Sequence, residues 1–427
     1  VNNMAGEKVL LVGDSLDGPT GFAINGGNIA WSLAKDYDVH YLGLQSMGTQ
    51  EMTLNIEDEE RTITHHANLP RSDQQWDFGF KSLPVLLDNL EPDVLFTIND
   101  IQMIQHIPGI MCPNAVQIPV VDLPSKEFVE GEALKRKLQG EVQKFREKYP
   151  RETKWIAYCP QDGDPPMSQW GYVYNMADKV VAMSKYGQAV FKNYFDMDVP
   201  YIWHGADSTI FDKDERPEHL DGKFVVGDIN RNQPRKQPVR AIEAFAKFAE
   251  GKDDVLLHLQ KDWNDVFGWP LKYFTDMYGV TSKCIKPGRV GMPKEEVAKC
   301  YNAWDVNLMT TGGEGFGLAF AESMMCGTPN IACDYTTPKE LIDDKWPRPR
   351  GLLVDFDLVW QKMDVAAVRR SYVKIDSLVD ALEEYYNDRE KLAKHSENAY
   401  KFAQKNLAIG KQQKQWRDLV KETLNEE

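Results

Sequence analysis

The stretch "TTGGEGFGLAFAESMMCGTPNIACDYTTPKEL" (310–341) decides the reading of this chain. An apolar run, "DVNLMT" (305–310), leads into it and reads as a buried strand. "TGGEGFG" is then a glycine-rich loop, "LAFAESMMC" a helix, and "TPNIAC" (328–333) a second strand. A strand, a short loop, a helix and another strand make one unit of a parallel sheet. In such sheets ligands bind beyond the carboxyl ends of the strands, where helix N-termini present free N–H groups.

The same alternation runs outward in both directions. Upstream, "KVLLVGD" (8–14), "YDVHYLGL" (37–44), "PDVLFTI" (92–98), "KWIAYC" (154–159) and "DKVVAMS" (178–184) read as strands, and 20–36 as a glycine-rich turn leading into a helix. The polar, acid-rich "HGADSTIFDKDERPEHLDG" (204–222) reads as a linker. Alternation then restarts with "KFVVGD" (223–228), a helix over 238–250 and "DVLLHLQ" (254–260). The pattern predicts an α/β fold of two doubly wound, Rossmann-like domains facing across a cleft, residues 1–208 and 209–410. Two helical stretches follow, 377–406 and 411–427, with Gly410 placed where the first would stop.

Length and composition agree with this division. A chain of 427 residues exceeds one ordinary core. Its formal charge of −15 argues against general nucleic-acid binding, which needs clustered Lys and Arg. The six cysteines form no C-x-x-C pair, so reduced thiols in a cytoplasmic protein are expected. No signal-peptide run and no membrane-spanning run is present in the sequence, so any work at a membrane is expected from its inner surface. Residues 126–154 read as one long helix with Leu134, Leu138, Val142 and Phe145 on a face and nine basic residues against six glutamates. Peripheral contact with an anionic membrane is one reading, but the mixed charge favours an ordinary solvated helix.

Glu314 and Glu322 stand eight residues apart in the deciding stretch, framing Gly315, Phe316, Gly317 and Leu318. The glycines let the backbone come close to a ligand, and amides at the helix start suit an anion or a hydroxyl. Glu314 is expected at the loop tip over the cleft. Glu322, roughly one and a half turns into the helix, is expected to reach the same ligand from below. A carboxylate accepts two hydrogen bonds from a vicinal diol, so the pair suits a ligand with sugar hydroxyls at both ends. Singly, each acid reads more simply as a solvated carboxylate; the strand–loop–helix setting and G-F-G favour the site.

These residues resemble a known family, the retaining nucleotide-sugar glycosyltransferases of the GT-B fold in their large fourth family (glycosyl transferases group 1). Its E-x7-E signature, E-G-F-G-x-x-x-x-E, is matched in full by Glu314 through Glu322. "GPTGFAINGGNIAWSLAKDYDVHYLGLQ" is similar to the opening glycine loop, helix and second strand, "ADKVVAMSKYGQAVFK" to the segment before the linker. "YIWHGADSTIF" is similar to the family's P-H-G-V-D stretch, and "AESMMCGTPNIAC" to its E-A-x-A-x-G-x-P-V-V. The resemblance implies a nucleotide-diphosphate sugar as donor and a glycan, lipid-linked or protein acceptor. It puts the donor's ribose on Glu322, the transferred sugar on Glu314, and sugar hydroxyls and diphosphate on the amides of Phe316, Gly317 and Leu318. It implies Gly21 and Phe22 as the glycine turn approaching the donor from across the cleft, and a helix such as 411–427 returning to the first domain. Loop 286–293, with Val290, is expected to contribute to base and sugar selection.

Two places depart from the family pattern. G-R and K-G usually follow the first strand of the second domain, but here the text is "VVGDINRNQPRKQP". Arg231 and Lys236 are expected to neutralise the diphosphate, with Arg235 as the rival for either place. Where many members carry a histidine after the strand equivalent to "WIAYCPQDG", this chain has Asp162, to contact the sugar or orient the acceptor; an Asx-turn cap before Pro165 is the simpler reading. His204 is expected to be structural.

"DGD" (162–164) matches the D-x-D of metal-dependent transferases, but so do four other places in this acidic chain. With Arg and Lys as counter-charge, no metal and no cofactor is expected. The alternatives are a sugar-nucleotide epimerase-like enzyme or a non-catalytic binding partner that keeps the fold.

Overall fold

The computed structural model describes residues 6–56, 58–68, 78–111, 152–289, 291–342, 347–363 and 366–426. Val290 and most of the helix read over 126–154 lie outside the described residues.

Seven strands build the first sheet: β1 (Lys8–Gly13), β2 (Asp38–Gly43), β3 (Gln50–Ile56), β4 (Glu59–Ala67), β5 (Val94–Ile98), β6 (Lys154–Cys159) and β7 (Lys179–Ala182). Their order is β3-β4-β2-β1-β5-β6-β7, and every pairing is parallel except β3 on β4. Val94 through Ile98 are all buried, as a parallel strand covered on both faces requires. β3 and β4 escape an apolar-pattern reading because β3 is polar and largely exposed.

The second sheet holds β8 (Phe224–Ile229), β9 (Val255–Gln260), β10 (Val306–Met309), β11 (Asn330–Cys333) and β12 (Gly351–Val354) in the order β12-β11-β10-β8-β9, all parallel. A lone parallel bridge from Leu257 to Cys284 marks a rudimentary further strand beside β9. Both sheets therefore turn at their first strand, the topological switch point of doubly wound folds. A separate antiparallel hairpin, β13 (Phe356–Met363) and β14 (Ala366–Val373), follows β12 and was not expected from the sequence.

The segment read as one helical stretch over 377–406 is two helices, Ile375–Asn387 and Arg389–Asn406. Asp388 breaks it, its side chain capping the second helix by accepting from Lys391 N at 2.9 Å. The next break falls at Leu407 and Ala408 rather than at Gly410, which lies inside the last helix, Ile409–Asn425. There Ala206 N donates to Leu407 O at 2.8 Å and Ile409 N to Ala206 O at 3.1 Å. These bonds close the helix end and tie the two chain crossings together.

The Ile409–Asn425 helix packs on the first sheet. Trp416 lays its ring edge-on against Phe96 and Tyr158, at centroid distances of 5.2 and 4.5 Å. Ser32 Oγ donates to Gln413 O and accepts from Arg417 Nη1, each at 2.9 Å.

Candidate active site

Loops at the carboxyl ends of the two sheets meet face to face. A methyl group added at Gly315 would overlap Pro160, and one at Gly313 would overlap the Asp162 carbonyl. Gly21, at the start of the helix after β1, faces Leu318 across the same gap, with Leu318 Cδ1 3.9 Å from where a side chain would begin. Thr20 caps that helix by accepting from Ala23 N and donates to Asp14 at 2.6 Å, which fixes the turn. Phe22 is half-buried and packs against the core below.

Gly317 has φ +85°, a left-handed conformation that glycine adopts without a Cβ penalty. It serves as N-cap of the Leu318–Met325 helix, whose first-turn N–H groups lack intrahelical acceptors. Thr336 and Thr337 lock the loop from behind: Glu314 N donates to Thr336 Oγ1 at 3.0 Å, and Thr337 Oγ1 donates to the carbonyls of Glu314 and Gly315. Phe316 is buried beneath His204, with ring centroids 4.8 Å apart. His204 is itself tied to Asn25 at 2.6 Å, and burial lowers its pKa to about 3, so it is a neutral packing group.

Glu314 is buried rather than perched at the loop tip, because the Lys236 ammonium lies directly on its carboxylate. Arg235 adds a second cation, with Nη1 3.7 Å from the same carboxylate and 3.0 Å from Gly313 O. Burial alone would push the Glu314 carboxyl up, but these cations outweigh it and hold it ionised, at about 2. Lys236 moves down from the ordinary lysine value through burial and its neighbour Arg235, opposed by Glu314. Glu322, half-buried, accepts from Tyr301 Oη at 2.9 Å, and burial raises its pKa.

Arg231 is not brought to this group. Its side chain is 61% exposed, its Nε 3.4 Å from Asp265, and Arg235 occupies the place beside Glu314. The departure at Asp228 has a packing reason. At the end of β8 its carboxylate meets the Lys261 ammonium from the end of β9 at 2.5 Å, both side chains fully buried. An arginine there would face a lysine in the dry interior.

Asp162 receives the guanidinium of Arg370, which donates from Nη1 to the Asp162 carbonyl and lies 2.8 Å from its carboxylate. Asp164 pairs with Arg369 at 3.3 Å. Asp100, after β5, was missed in the sequence. Burial and the nearby Asp162 raise its carboxyl to about 7, against the pull of Arg235 and Arg370. Its signal was the "ND" (99–100) that follows "PDVLFTI", too common to single out.

The fold is that of the GT-B glycosyltransferases. The chain superposes on sucrose-phosphate synthase from Thermosynechococcus elongatus with a TM-score of 0.68 over 97% of this chain and 98% of that one, at 14% identity. It superposes on Anabaena Alr3699/HepE in complex with UDP and glucose with a TM-score of 0.64, over 97% and 100%, at 15% identity. In sequence, residues 210–402 match the family Glycosyl transferases group 1. A curated relative, a probable sucrose-phosphate synthase of Thermosipho melanesiensis, is 26% identical over 144 residues, which span 33% of each chain.

Proposed function

We propose that this chain is a retaining, metal-independent glycosyltransferase of the fourth family, moving a sugar from a nucleotide-diphosphate donor to an acceptor hydroxyl. One observation carries the reading: the buried Glu314–Lys236 pair, flanked by Arg235, at the mouth of the helix that bears Glu322. Lys236 and Arg235 supply the fixed positive charge that a departing nucleotide diphosphate needs. Glu322, oriented by Tyr301, holds the donor's ribose; Glu314 and the amides of Phe316, Gly317 and Leu318 hold the transferred sugar and diphosphate. Gly21 and Phe22 approach from the facing domain, and Asp162 orients the acceptor. The leaving phosphate oxygen takes the acceptor's proton on the same face of the sugar, which retains the anomeric configuration.

Support for the donor class comes from solved neighbours whose complexes hold UDP, UDP-glucose, or UDP with GlcNAc. Support for metal independence comes from the D-G-D acids, since Asp162 and Asp164 are each paired to an arginine. Among the described residues no helix is long and apolar enough to cross a membrane. The acceptor is a hydroxyl of a glycan, a lipid-linked molecule or a protein.

A screen of the purified protein against UDP-, GDP- and ADP-sugars in EDTA tests the reading. Slow release of free sugar from one donor class, unaffected by chelation, is expected. Activity that needs Mn²⁺ or Mg²⁺ would return "DGD" to consideration, and no turnover of any donor would sink the transferase assignment.

A further inference from the structure

Strand β14, paired with β13 along its whole length, joins the two halves of the site along its other edge. On one side Ser371 N donates to Gly312 O at 2.9 Å, and Gln237 bonds the backbone of Ser371 and Val373. On the other, Arg369 forms an antiparallel bridge with Asp164, its N–H donating to the Asp164 carbonyl at 3.1 Å. Tyr335 Oη reinforces that bridge from the second domain, bonding the Asp164 carboxylate at 2.8 Å. Arg370, next in sequence, is 2% exposed and grips both the carbonyl and the carboxylate of Asp162.

We propose that Arg370 is a positioning residue for Asp162, delivered from the second domain by the β13–β14 hairpin and anchored in register by the Arg369–Asp164 bridge. A two-point grip on carbonyl and carboxylate fixes the Asp162 backbone and its χ1 together, which a single ion pair would not. Burial of Arg370 strengthens the grip from one end: its guanidinium is shut off from bulk water, while the half-buried Asp162 carboxylate keeps its other face open to the cleft. The bridge at Arg369 sets which residue of β14 reaches Asp162, because a one-residue slip would turn Arg370 away. Asp162 is thereby held only when both halves of the site are together, so the acceptor side is completed by a residue of the donor-binding domain. This inference rests on the reading of Asp162 as the acceptor-orienting acid.

Two measurements test it separately from that reading. Hydrogen–deuterium exchange of the ligand-free protein reports how firmly segment 160–165 is held. Arg370→Gln is expected to speed exchange there about tenfold or more, and Arg370→Lys by much less. Hydrolysis of UDP-, GDP- and ADP-glucose supplies the second measurement. For the probe that the native protein cleaves, Arg370→Gln is expected to lower kcat about 10–100-fold with KM for the donor little changed, and Arg370→Lys to recover most of the loss. Unchanged exchange in segment 160–165 overturns the proposal whatever the activity. A donor KM that rises as much as kcat falls overturns it too, because Arg370 would then be a ligand of the diphosphate. If the native protein cleaves none of the three probes, the exchange result alone decides whether Arg370 holds Asp162.

Discussion

The Lys236 ammonium rests on the Glu314 carboxylate, both side chains more than nine-tenths buried. Breaking a buried pair by removing one member leaves an uncompensated charge. In a binding site the same arrangement has a second effect, because an ammonium held by one anion is preorganised for another. Lys236→Ala is therefore expected to reduce turnover by about 10²–10³-fold. Arg235→Ala should cost more than Arg231→Ala, since Arg235 stands beside Glu314 and Arg231 faces Asp265. Single-turnover rates of the three variants give the ranking, and a larger loss at Arg231 would show that the guanidinium on Asp265 is the one that meets the phosphates.

The same ammonium sets a pH dependence. Burial and Arg235 lower Lys236 to about 8 from an ordinary 10.5. Below that value it is protonated and can pair with a diphosphate; above it, the folded protein gives up the proton that an exposed lysine would keep. Affinity for a nucleoside diphosphate is thus expected to be flat at neutral pH and to fall as pH rises through about 8. Calorimetric titration at several pH values checks this. A fall beginning only near the ordinary lysine value would place Lys236 outside the binding site.

Glu322 is held by Tyr301, so its loss removes a preset acceptor of ribose hydroxyls. Glu322→Ala is expected to weaken nucleotide binding by about 1.5–3 kcal/mol, the scale of a charged hydrogen bond. Tyr301→Phe should weaken it less, because the carboxylate survives and only its orientation is relaxed. Nucleotide affinity unchanged in a folded Glu322→Ala protein would remove this acid from the site.

The Asp228–Lys261 pair makes a prediction about stability alone. Lys261→Met strands a carboxylate in the second core and is expected to cost about 3–5 kcal/mol. Asp228→Asn combined with Lys261→Met should cost clearly less, because no bare charge is left. Denaturant midpoints of the two proteins provide the comparison; equal losses would mean that the lysine stem, not its charge, stabilises the core.

What the sequence disclosed was local. "DVNLMT", "TGGEGFG" and "LAFAESMMC" announce strand, loop and helix because their apolar spacing and glycines act within a few residues. The site members missed or misplaced depend on partners far along the chain. Arg370 is 208 residues from Asp162, and Lys261 is 33 from Asp228, so no window of sequence holds both halves of either pair. Arg235 and Arg231 carry the same charge in the same loop. Only the turn of the Pro234–Lys236 segment, which aims Arg235 at Gly313, separates them. β3 stayed hidden for a different reason: its residues are largely exposed, and a polar strand has no apolar rhythm to read.

The paired crossings at Ala206 and Ala408 carry a mechanical consequence. Two strands of chain joined by short hydrogen bonds behave as a pin with width, not as a swivel. Turning the halves about the line through both crossings leaves those bonds intact, whereas wringing one half against the other would shear them. Opening and shutting should then follow a single coordinate, an arc whose far end is the meeting of Gly313 with Asp162. Such a pin makes arrival at the far end reproducible: each closure returns the same atoms to the same registration, as a door with one axis always finds its latch.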